Sequence, residues 1–497
     1  MFTAQDLVQI SHHGVELSVI EAQIENFKNG FPFVHLVKAA TIGDGILKME
    51  EETIQELVDF YEIEKEKMNI LKFVPASGAA TRMFKSLFEY MAAAKTASPS
   101  KNSKEIQTFF ENLEKFAFYG SLHAKLEKNA DNYVTLETLL LSKGLNYGSL
   151  PKGLLEFHRY EDFTRTALEE QMVDGVAYAS SKGNVKLHFT VSPEHRQKFE
   201  MMVAQTSVKY EKEFNVKFEV SFSEQKSATD TIAVDLENKP FRNENGELLF
   251  RPAGHGALLS NLNDLVADLI FIKNIDNVVP DHTKPIMVQY KKALAGLLIK
   301  LQKELFRFQK LIDISIVSEA NISDTEAFLD EHLNVQLPKN YESYSYVEKI
   351  TWLKQMLFRP IRVCGMVKNI GEAGGGPFWI LNDNSELTIQ IIESAQIDLE
   401  NKKQQDIFAA STHFNPVDLI FTSKNYKGEQ YNLFQYRDSK TGFITGKSLN
   451  GAMLKAQELP GLWNGSMANW NTVFVEIPLI TFNPVKTVND LLRPEHQ

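Results

Sequence analysis

The stretch KFVPASGAATRM at residues 72–83 decides the fold, because an apolar run stops in small residues and resumes with Thr81 and Arg82. A strand that passes through small residues into a helix is a common phosphate-binding turn of α/β proteins. The small side chains let backbone N–H groups approach an anion, and the dipole at a helix N-terminus favours negative charge. The stretch therefore predicts a strand, an anion-binding loop and a helix that begins near Thr81.

The loop itself has a cation close to its small residues. The guanidinium of Arg82 can bind two phosphate oxygens at once. The spacing matches neither the mononucleotide loop GxxxxGK[ST] nor the dinucleotide pattern GxGxxG, because Gly78 is the only glycine of the loop. A tight strand-to-helix turn that packs on the sheet is the alternative interpretation, and the stretch alone leaves it open.

Further strand patterns place this loop in a sheet. Apolar or alternating runs at 70–74, 185–191, 216–222 and 268–277 predict strands, and helical patterns separate them. Strands that alternate with helices are typical of an α/β fold with a mostly parallel sheet. The fold class predicted from the sequence is therefore α/β.

The chain divides into consecutive segments by the period of its apolar residues. We expect a helical N-terminal arm at 1–66 and a core at 67–285 that contains a helical insertion at 84–149. A second helical insertion is expected at 286–358, and a strand-rich second half of the core at 359–497.

The composition excludes several classes of protein. A chain of 497 residues with 43% hydrophobic residues can bury a large core, and its net charge of −11 argues against an extended nucleic-acid surface. The single cysteine, Cys364, excludes an intrachain disulfide. The first residues carry no basic segment and no window is apolar enough to span a membrane, so we expect a cytoplasmic protein without a membrane partner. The sequence leaves the oligomeric state open.

The opening stretch also resembles a motif of a known family. PASGAATRM at 75–83 resembles the AGGxGTRM motif of the sugar nucleotidyltransferases, the pyrophosphorylases that make nucleotide sugars. In that family a Pro-Lys pair follows soon afterwards. LPKGLLEFH at 150–158 is similar to this second half, displaced here by the insertion at 84–149. The resemblance implies that Lys152 returns beside Arg82.

More motifs follow in the order of that family. LHFTVSPEHRQKFE at 187–200 resembles its VVTxPEHR motif, and RPAGHG at 251–256 resembles its PPGHGD loop. FIKNIDNVV at 271–279 is similar to FVSNIDNLG of the UDP-sugar pyrophosphorylases. Clear resemblance covers 68–281 outside the insertion, and fainter resemblance continues to about residue 420. Over its full length the chain most resembles an uncharacterised bacterial family of unknown function.

The resemblance implies a fold and a reaction. The fold is a Rossmann-like sheet of the GT-A type with helices on both faces. The reaction joins a nucleoside triphosphate, expected to be UTP, to a sugar-1-phosphate and releases pyrophosphate. Arg82 and Lys152 would neutralise the triphosphate. Asp276, at the end of an apolar strand, would bind Mg²⁺ shared with phosphate oxygens, with a simple turn residue as the alternative.

The implied nucleotide contacts extend to a second loop. Gly254 and Gly256 would offer bare backbone to a planar base, and His255 could contact phosphate, cap the turn or belong to the core. Gln225 could contact the base edge, a role that rests on the resemblance alone. The nucleotide-binding residues that we expect are Ala76, Ser77, Gly78, Ala79, Ala80, Thr81, Gln225, Gly254, His255 and Gly256.

The second half of the chain supplies the implied sugar site. Lys368, Glu372 and Gly375 lie in or beside a glycine-rich loop, and successive glycines indicate the close approach of a ligand or of backbone more than a flexible turn. Asn415 and Asp418 would be further Mg²⁺ ligands, and an Asn-Pro turn is the alternative.

Two other functions stay open. Ala80 stands where the family has a glycine, so a catalytically inactive protein that binds a nucleotide or nucleotide-sugar is one alternative. A glycosyltransferase of similar fold is the other, and the sequence NID in place of a D-x-D pair disfavours it. The presence of Lys152 and Asp276 favours an active transferase.

Overall fold

The computed structural model describes residues 2–95, 104–313, 316–371 and 374–497. Its α-helices are α1 (Ala4–His12), α2 (Leu17–Asn29), α3 (Glu51–Glu64), α4 (Lys85–Lys95), α5 (Lys104–Glu111), α6 (Tyr119–His123), α7 (Asn132–Leu140), α8 (Ala167–Tyr178), α9 (Arg196–Phe214), α10 (Leu259–Asn263), α11 (Lys284–Asp313), α12 (Glu319–Leu333), α13 (Tyr346–Leu357) and α14 (Lys402–Ala409). No helix within these residues is both long enough and apolar enough to cross a membrane.

The β-strands of the described residues form several sheets. They are β1 (His35–Ala39), β2 (Thr41–Ile42), β3 (Gly45–Leu47), β4 (Ile70–Pro75), β5 (Glu156–Arg159), β6 (Thr164–Thr166), β7 (Ser180–Ser181), β8 (Asn184–Thr190), β9 (Lys217–Ser223), β10 (Thr231–Ile232), β11 (Phe250–Arg251), β12 (Leu269–Lys273), β13 (Ile361–Lys368), β14 (Gly376–Leu381), β15 (Leu387–Ile392), β16 (His413–Thr422), β17 (Phe443–Leu449), β18 (Ala452–Glu458) and β19 (Asn471–Glu476).

The fold is a mixed α/β fold whose central sheet is mostly parallel, which confirms the predicted class. Strands β4 and β8 pair in parallel, as do β8 and β9. Strand β13 pairs in parallel with β19, and antiparallel with β16. The four strands predicted from the sequence correspond to β4, β8, β9 and β12.

The chain folds into two compact units, each built from several stretches. Unit 1 comprises Met1–Tyr61, Gln225–Leu269 and Leu294–Ile477. Unit 2 comprises Glu62–Glu224, Ile270–Ala293 and Pro478–Gln497. The division into four consecutive segments stays a prediction.

Unit 2 is built around strands in the order β12-β4-β8-β7, with β9 also paired to β8. Its apolar core includes Val74 of β4 and Phe189 of β8, both fully buried. The insertion predicted at 84–149 is helical, and it buries Phe109 of α5 and Leu136 of α7 in the same core. The insertion therefore packs as part of this unit.

Unit 1 contains strands in the order β2-β3-β19-β13-β16 and a separate sheet β1-β14-β15. The prediction of a helical arm at 1–66 holds for α1, α2 and α3, but it is wrong for residues 35–47, which form β1, β2 and β3. Strand β1 pairs with β14, and β3 with β19. The short runs of β1 and β3 become strands because segments far along the chain supply their hydrogen-bond partners, and β2 in turn pairs with β3.

Candidate active site

The small-residue loop of unit 2 opens directly at the end of β4. The Ala76 N–H donates to the Thr190 carbonyl of β8 at 2.8 Å, which continues the parallel pairing by one residue. Ser77, Gly78 and Ala79 are exposed. Within the part of the chain that the structure describes, their backbone N–H groups donate to no other group. Three exposed, unbonded N–H groups in succession form a surface that an anion can bind.

The helix after this loop begins later than the sequence predicts. Ala80–Arg82 form a single 3₁₀ turn, and α4 starts at Lys85. No side chain accepts a hydrogen bond from the N–H groups at the start of the 3₁₀ turn. A regular α-helix beginning at Ala80 would therefore lack a stabilising N-cap. Thr81 and Arg82 are exposed on this turn. Among the described residues the Arg82 guanidinium has no ion-pair partner, which leaves its charge available to a ligand.

Ala80 does not face the open loop. It is fully buried in the core of unit 2, and its φ angle is not positive. Its N–H donates to the Leu150 carbonyl at 3.1 Å. The methyl group that distinguishes Ala80 from glycine therefore packs inside the protein, where it cannot crowd a phosphate.

The segment with Lys152 pairs with the loop that precedes Arg82, and the position of Lys152 beside Arg82 itself stays a prediction. The Lys152 N–H donates to the Gly78 carbonyl at 3.3 Å, next to the hydrogen bond between Ala80 and Leu150. The glycine after Lys152 is needed for packing, because a Cβ atom on Gly153 would lie 2.8 Å from the Phe199 ring. The long insertion thus leaves the loop and Lys152 side by side.

Lys152 forms an ion pair with Asp276. The Lys152 Nζ donates to Asp276 Oδ2 at 2.6 Å and to the Val485 carbonyl at 2.5 Å. The two charged side chains are 14% and 19% exposed, so water screens their attraction less than at an open surface. Asp276 lies in the turn after β12, where the Asn277 N–H donates to the Asn274 carbonyl at 3.2 Å. Arg82, Lys152, Asp276 and the loop 76–81 all belong to unit 2.

Gln225 belongs to unit 1, where it contacts an acidic side chain. Its Nε2 donates to Asp230 Oδ1 at 3.1 Å, and the other oxygen of Asp230 lies 3.4 Å from His13 Nε2. Burial raises the pKa of Asp230. The amide of Gln225 is therefore oriented by the protein, and its role towards a base stays a prediction.

The glycines around His255 are explained by contacts within unit 1. Gly254 has a φ of +75°, and a Cβ atom on Gly256 would lie 2.1 Å from the Pro460 carbonyl oxygen. The Leu462 N–H donates to His255 Nδ1 at 3.0 Å, and the imidazole stacks on Trp463 with ring centroids 4.2 Å apart. Burial lowers the pKa of His255 to about 4. These contacts favour His255 as a neutral residue that holds the turn, and base binding by this loop stays a prediction.

Two of the three predicted sugar-site residues lie within the described chain, Lys368 at the end of β13 and Gly375 directly before β14. Lys368 is exposed at the end of β13. Gly375 is buried, and a Cβ atom there would lie 2.9 Å from Ile391 Cγ2, so packing requires this glycine. Glu372 lies outside the described residues. The sugar-binding role of all three residues stays a prediction.

Asn415 and Asp418 lie on the buried strand β16. The pairing with β13 is irregular here, and Asn415 Oδ1 accepts the N–H of Val417 at 3.1 Å. Val417 has a φ of +58°, so Asn415 stabilises a strained bulge that contains Pro416. Asn415 is 3% exposed and Asp418 2%. Across the described parts of the chain, no group of three or more His, Cys, Asp or Glu side chains is arranged to hold a metal ion.

Two contacts of the predicted site residues, one in each unit, have no motif in the sequence. The Val485 carbonyl on Lys152 is a backbone group, which carries no mark in the sequence. For the contact of Gln225 with Asp230, the only signal in the sequence is their separation of five residues. A carboxylate at that separation can reach an amide when the chain turns. Neither contact follows from a motif.

The chain belongs to the family described as "Domain of unknown function (DUF4301)", whose model matches residues 3–497. A search of curated proteins found no match. The chain is similar to the solved structure of uridine diphosphate N-acetylglucosamine pyrophosphorylase from Trypanosoma brucei, with 10% identity, a TM-score of 0.49 and coverage of 96% of this chain and 74% of that chain. It is also similar to UDP-glucose pyrophosphorylase from Leishmania major, with 11% identity, a TM-score of 0.44 and coverage of 99% and 79%.

Proposed function

We propose that this protein is a nucleotidyltransferase that joins a nucleoside triphosphate to a sugar-1-phosphate and releases pyrophosphate. UTP is the expected nucleotide, an expectation that rests on Gln225 and on the resemblance of the motifs. The observation that carries the proposal is the convergence of Lys152, Asp276 and the exposed loop in one unit. A plain strand-to-helix turn would need neither the ion pair nor the exposed N–H groups.

Each group has a task in this reaction. An oxygen of the sugar phosphate attacks the α-phosphorus, a new P–O bond forms, and the bond from the α-phosphorus to the bridging oxygen breaks as pyrophosphate leaves. The N–H groups of 77–79 and the Arg82 guanidinium would bind the triphosphate. The Lys152 ammonium would stabilise negative charge that grows on the phosphate oxygens during transfer.

Magnesium is part of the proposal. The residues fit an ion that is bound through one carboxylate and substrate phosphates, because Asp276 is partly exposed beside the loop. They do not form a cage made of protein ligands alone. Bound Mg²⁺ supplies neutralisation of phosphate charge. Asn415 and Asp418 are weaker candidates, since Asn415 already accepts a backbone hydrogen bond.

The test measures pyrophosphate release with Mg²⁺, a panel of nucleoside triphosphates and pooled sugar-1-phosphates. We expect Lys152→Met and Asp276→Asn each to lower kcat by roughly 10²- to 10³-fold, as for other groups that stabilise charge in a transition state. Lys128→Met is the matched control, because Lys128 is an exposed lysine of the same unit. Equal rates in all three variants would contradict the proposal.

Nucleotide binding without transfer is the second candidate. It is favoured by the two protein oxygens that already hold the Lys152 ammonium, which a structural lysine would also show. Nucleotide binding without pyrophosphate release from any substrate pair would support this candidate over the transferase.

A further inference from the structure

The last stretch of unit 2 contacts the candidate site through its backbone. The Val485 carbonyl accepts from Lys152 Nζ at 2.5 Å. The N–H of the same residue donates to the Asp276 carbonyl at 3.1 Å. One residue therefore holds both members of the ion pair, one by its side chain and the other by its backbone.

Neighbouring residues extend these contacts in both directions. The Asn483 N–H donates to Asn277 Oδ1 at 2.9 Å, which fixes the turn that contains Asp276. The Val488 N–H donates to the Met83 carbonyl at 3.1 Å, directly after Arg82 on the chain. Residues 483–490, which we call the C-terminal strap, thus bind all three places where the proposed catalytic side chains originate.

The strap is itself held firmly. Val485 and Val488 are 0% and 2% exposed and belong to the core of unit 2. Asp490 Oδ2 accepts the N–H groups of Lys486 at 2.8 Å and Thr487 at 2.6 Å, which shapes the turn directly after Val485. The carbonyl that faces Lys152 is therefore fixed by packing on one side and by the Asp490 turn on the other.

A lysine side chain has many rotamers, and holding its ammonium in one place costs conformational entropy. Two fixed acceptors reduce this cost before a ligand arrives. Only Asp276 of the two is charged, so the Val485 carbonyl orients the ammonium without cancelling more of its charge. We propose that the C-terminal strap is a positioning element that holds Lys152 for catalysis, a role that rests on the proposed function.

The test is acetylation of the full chain by acetic anhydride. Mass spectrometry of its peptides then gives the labelling rate of Lys152. Asp490→Ala removes the carboxylate that shapes the turn and should raise the labelling rate of Lys152 about threefold or more, since local opening exposes the amine. Asn489→Ala is the matched control on the same strap, because Asn489 donates to the Glu105 carbonyl at 2.9 Å, away from Lys152. It should leave the rate unchanged.

Two other lysines distinguish local opening around Lys152 from unfolding of the whole protein. Lys273 is 1% exposed, so its labelling rate rises only when the protein unfolds. Lys128 is exposed, so its labelling rate measures the activity of the reagent itself. Faster labelling of Lys152 with both reference lysines unchanged supports the proposal, and an unchanged Lys152 rate in folded Asp490→Ala overturns it. If Asp490→Ala does not fold, Asp490→Ser, whose short hydroxyl replaces the carboxylate, takes its place in the same comparison.

Activity gives an independent second measurement. With a working pyrophosphate assay, Asp490→Ala should lower kcat and leave the nucleotide KM close to that of the wild type, because the strap orients Lys152 and does not form the loop. If labelling follows the expectation but no substrate pair gives transfer, the proposed function is contradicted. The labelling would still show that the strap holds the Lys152 side chain in place.

Discussion

At the scale of single residues, the glycines of the chain separate binding from packing. A Cβ atom on Gly78 would meet no atom within 4 Å, and its φ angle is not in the left-handed region. A Cβ atom on Gly153 would lie 2.8 Å from the Phe199 ring. Packing therefore requires Gly153, whereas neither packing nor backbone geometry requires a glycine at position 78.

This contrast leads to a prediction for Gly78→Ala. The substitution should raise the free energy of unfolding by about 0.4–1 kcal/mol, because alanine restricts the unfolded chain and fits the folded backbone. It should also weaken nucleotide binding, since the new methyl group occupies the surface where phosphate would lie. Thermal unfolding and nucleotide titration calorimetry measure the two effects.

Gly120 provides the control for this prediction. It is exposed on α6, and a Cβ atom there also meets nothing within 4 Å. Gly120→Ala should stabilise the fold to a similar degree and leave nucleotide affinity unchanged. Equal nucleotide affinity of both variants would show that the loop does not bind phosphate.

At the scale of elements, helix α8 brings buried carboxylates to lysines of the strands β4 and β12 and of helix α11. Asp174 is 0% exposed and accepts from Lys273 Nζ at 3.2 Å, with Lys72 and Lys284 each 3.8 Å away. Burial alone would raise the pKa of Asp174, but the charges of Lys273, Lys72 and Lys284 lower it to about 2. Asp174 is therefore a counter-charge for Lys273 and Lys72, and it shares Lys284 with Glu170.

We expect Asp174→Asn to destabilise the protein by about 3–5 kcal/mol, because buried ammonium groups lose their shared counter-charge. The pKa of Asp174 is lowered in the folded state, so its contribution is present above the ordinary value of 3.8 and is lost as the pH falls towards about 2. Urea unfolding between pH 7 and pH 2.5 measures both effects. Wild-type stability should fall below about pH 4 by more than that of Asp174→Asn.

The control is Asp162→Asn, an exposed aspartate of the same unit. It should change the free energy of unfolding by less than about 0.5 kcal/mol and retain the wild-type pH profile. A wild-type profile in Asp174→Asn would mean that the buried cluster does not govern acid stability.

At the scale of the whole molecule, the sequence predicted those features that depend on the pattern of side chains along the chain. The strands of unit 2 carry continuous or alternating apolar residues, which predicted them. The motif order predicted that Lys152 returns beside Arg82, and the structure shows the Lys152 N–H bonded to the Gly78 carbonyl in the loop that precedes Arg82. Strands β1 and β3 escaped prediction because their partners β14 and β19 lie hundreds of residues away, and β2 pairs only with β3. The role of Val485 escaped it because a carbonyl oxygen is the same in every residue. Packing at Gly256 required the position of Pro460, which no local pattern gives.

The net charge of −11 makes local cations necessary for any polyanionic ligand. We expect UTP with Mg²⁺, at 100 times its Kd, to raise the free energy of unfolding of unit 2 by about 2.7 kcal/mol. Chelation of Mg²⁺ should reduce this stabilisation, because the Asp276 carboxylate would then repel phosphates whose charge a bound ion would neutralise. Differential scanning fluorimetry with a titration of UTP measures the effect, and NaCl at matched ionic strength controls for screening.

The variant Asp276→Asn distinguishes metal-mediated from direct binding of the phosphates. Its amide lacks the negative charge, so stabilisation by UTP should depend much less on Mg²⁺, while the loop 77–79 and Arg82 still supply the part of the affinity that needs no metal. Stabilisation of the wild type that is equal with and without Mg²⁺ would contradict a metal ion at Asp276. Asp276 also pairs with Lys152 at 2.6 Å, so Asp276→Asn can change the stability of the protein without ligand. The wild type and Asp276→Asn are therefore compared at equal fractions of folded protein.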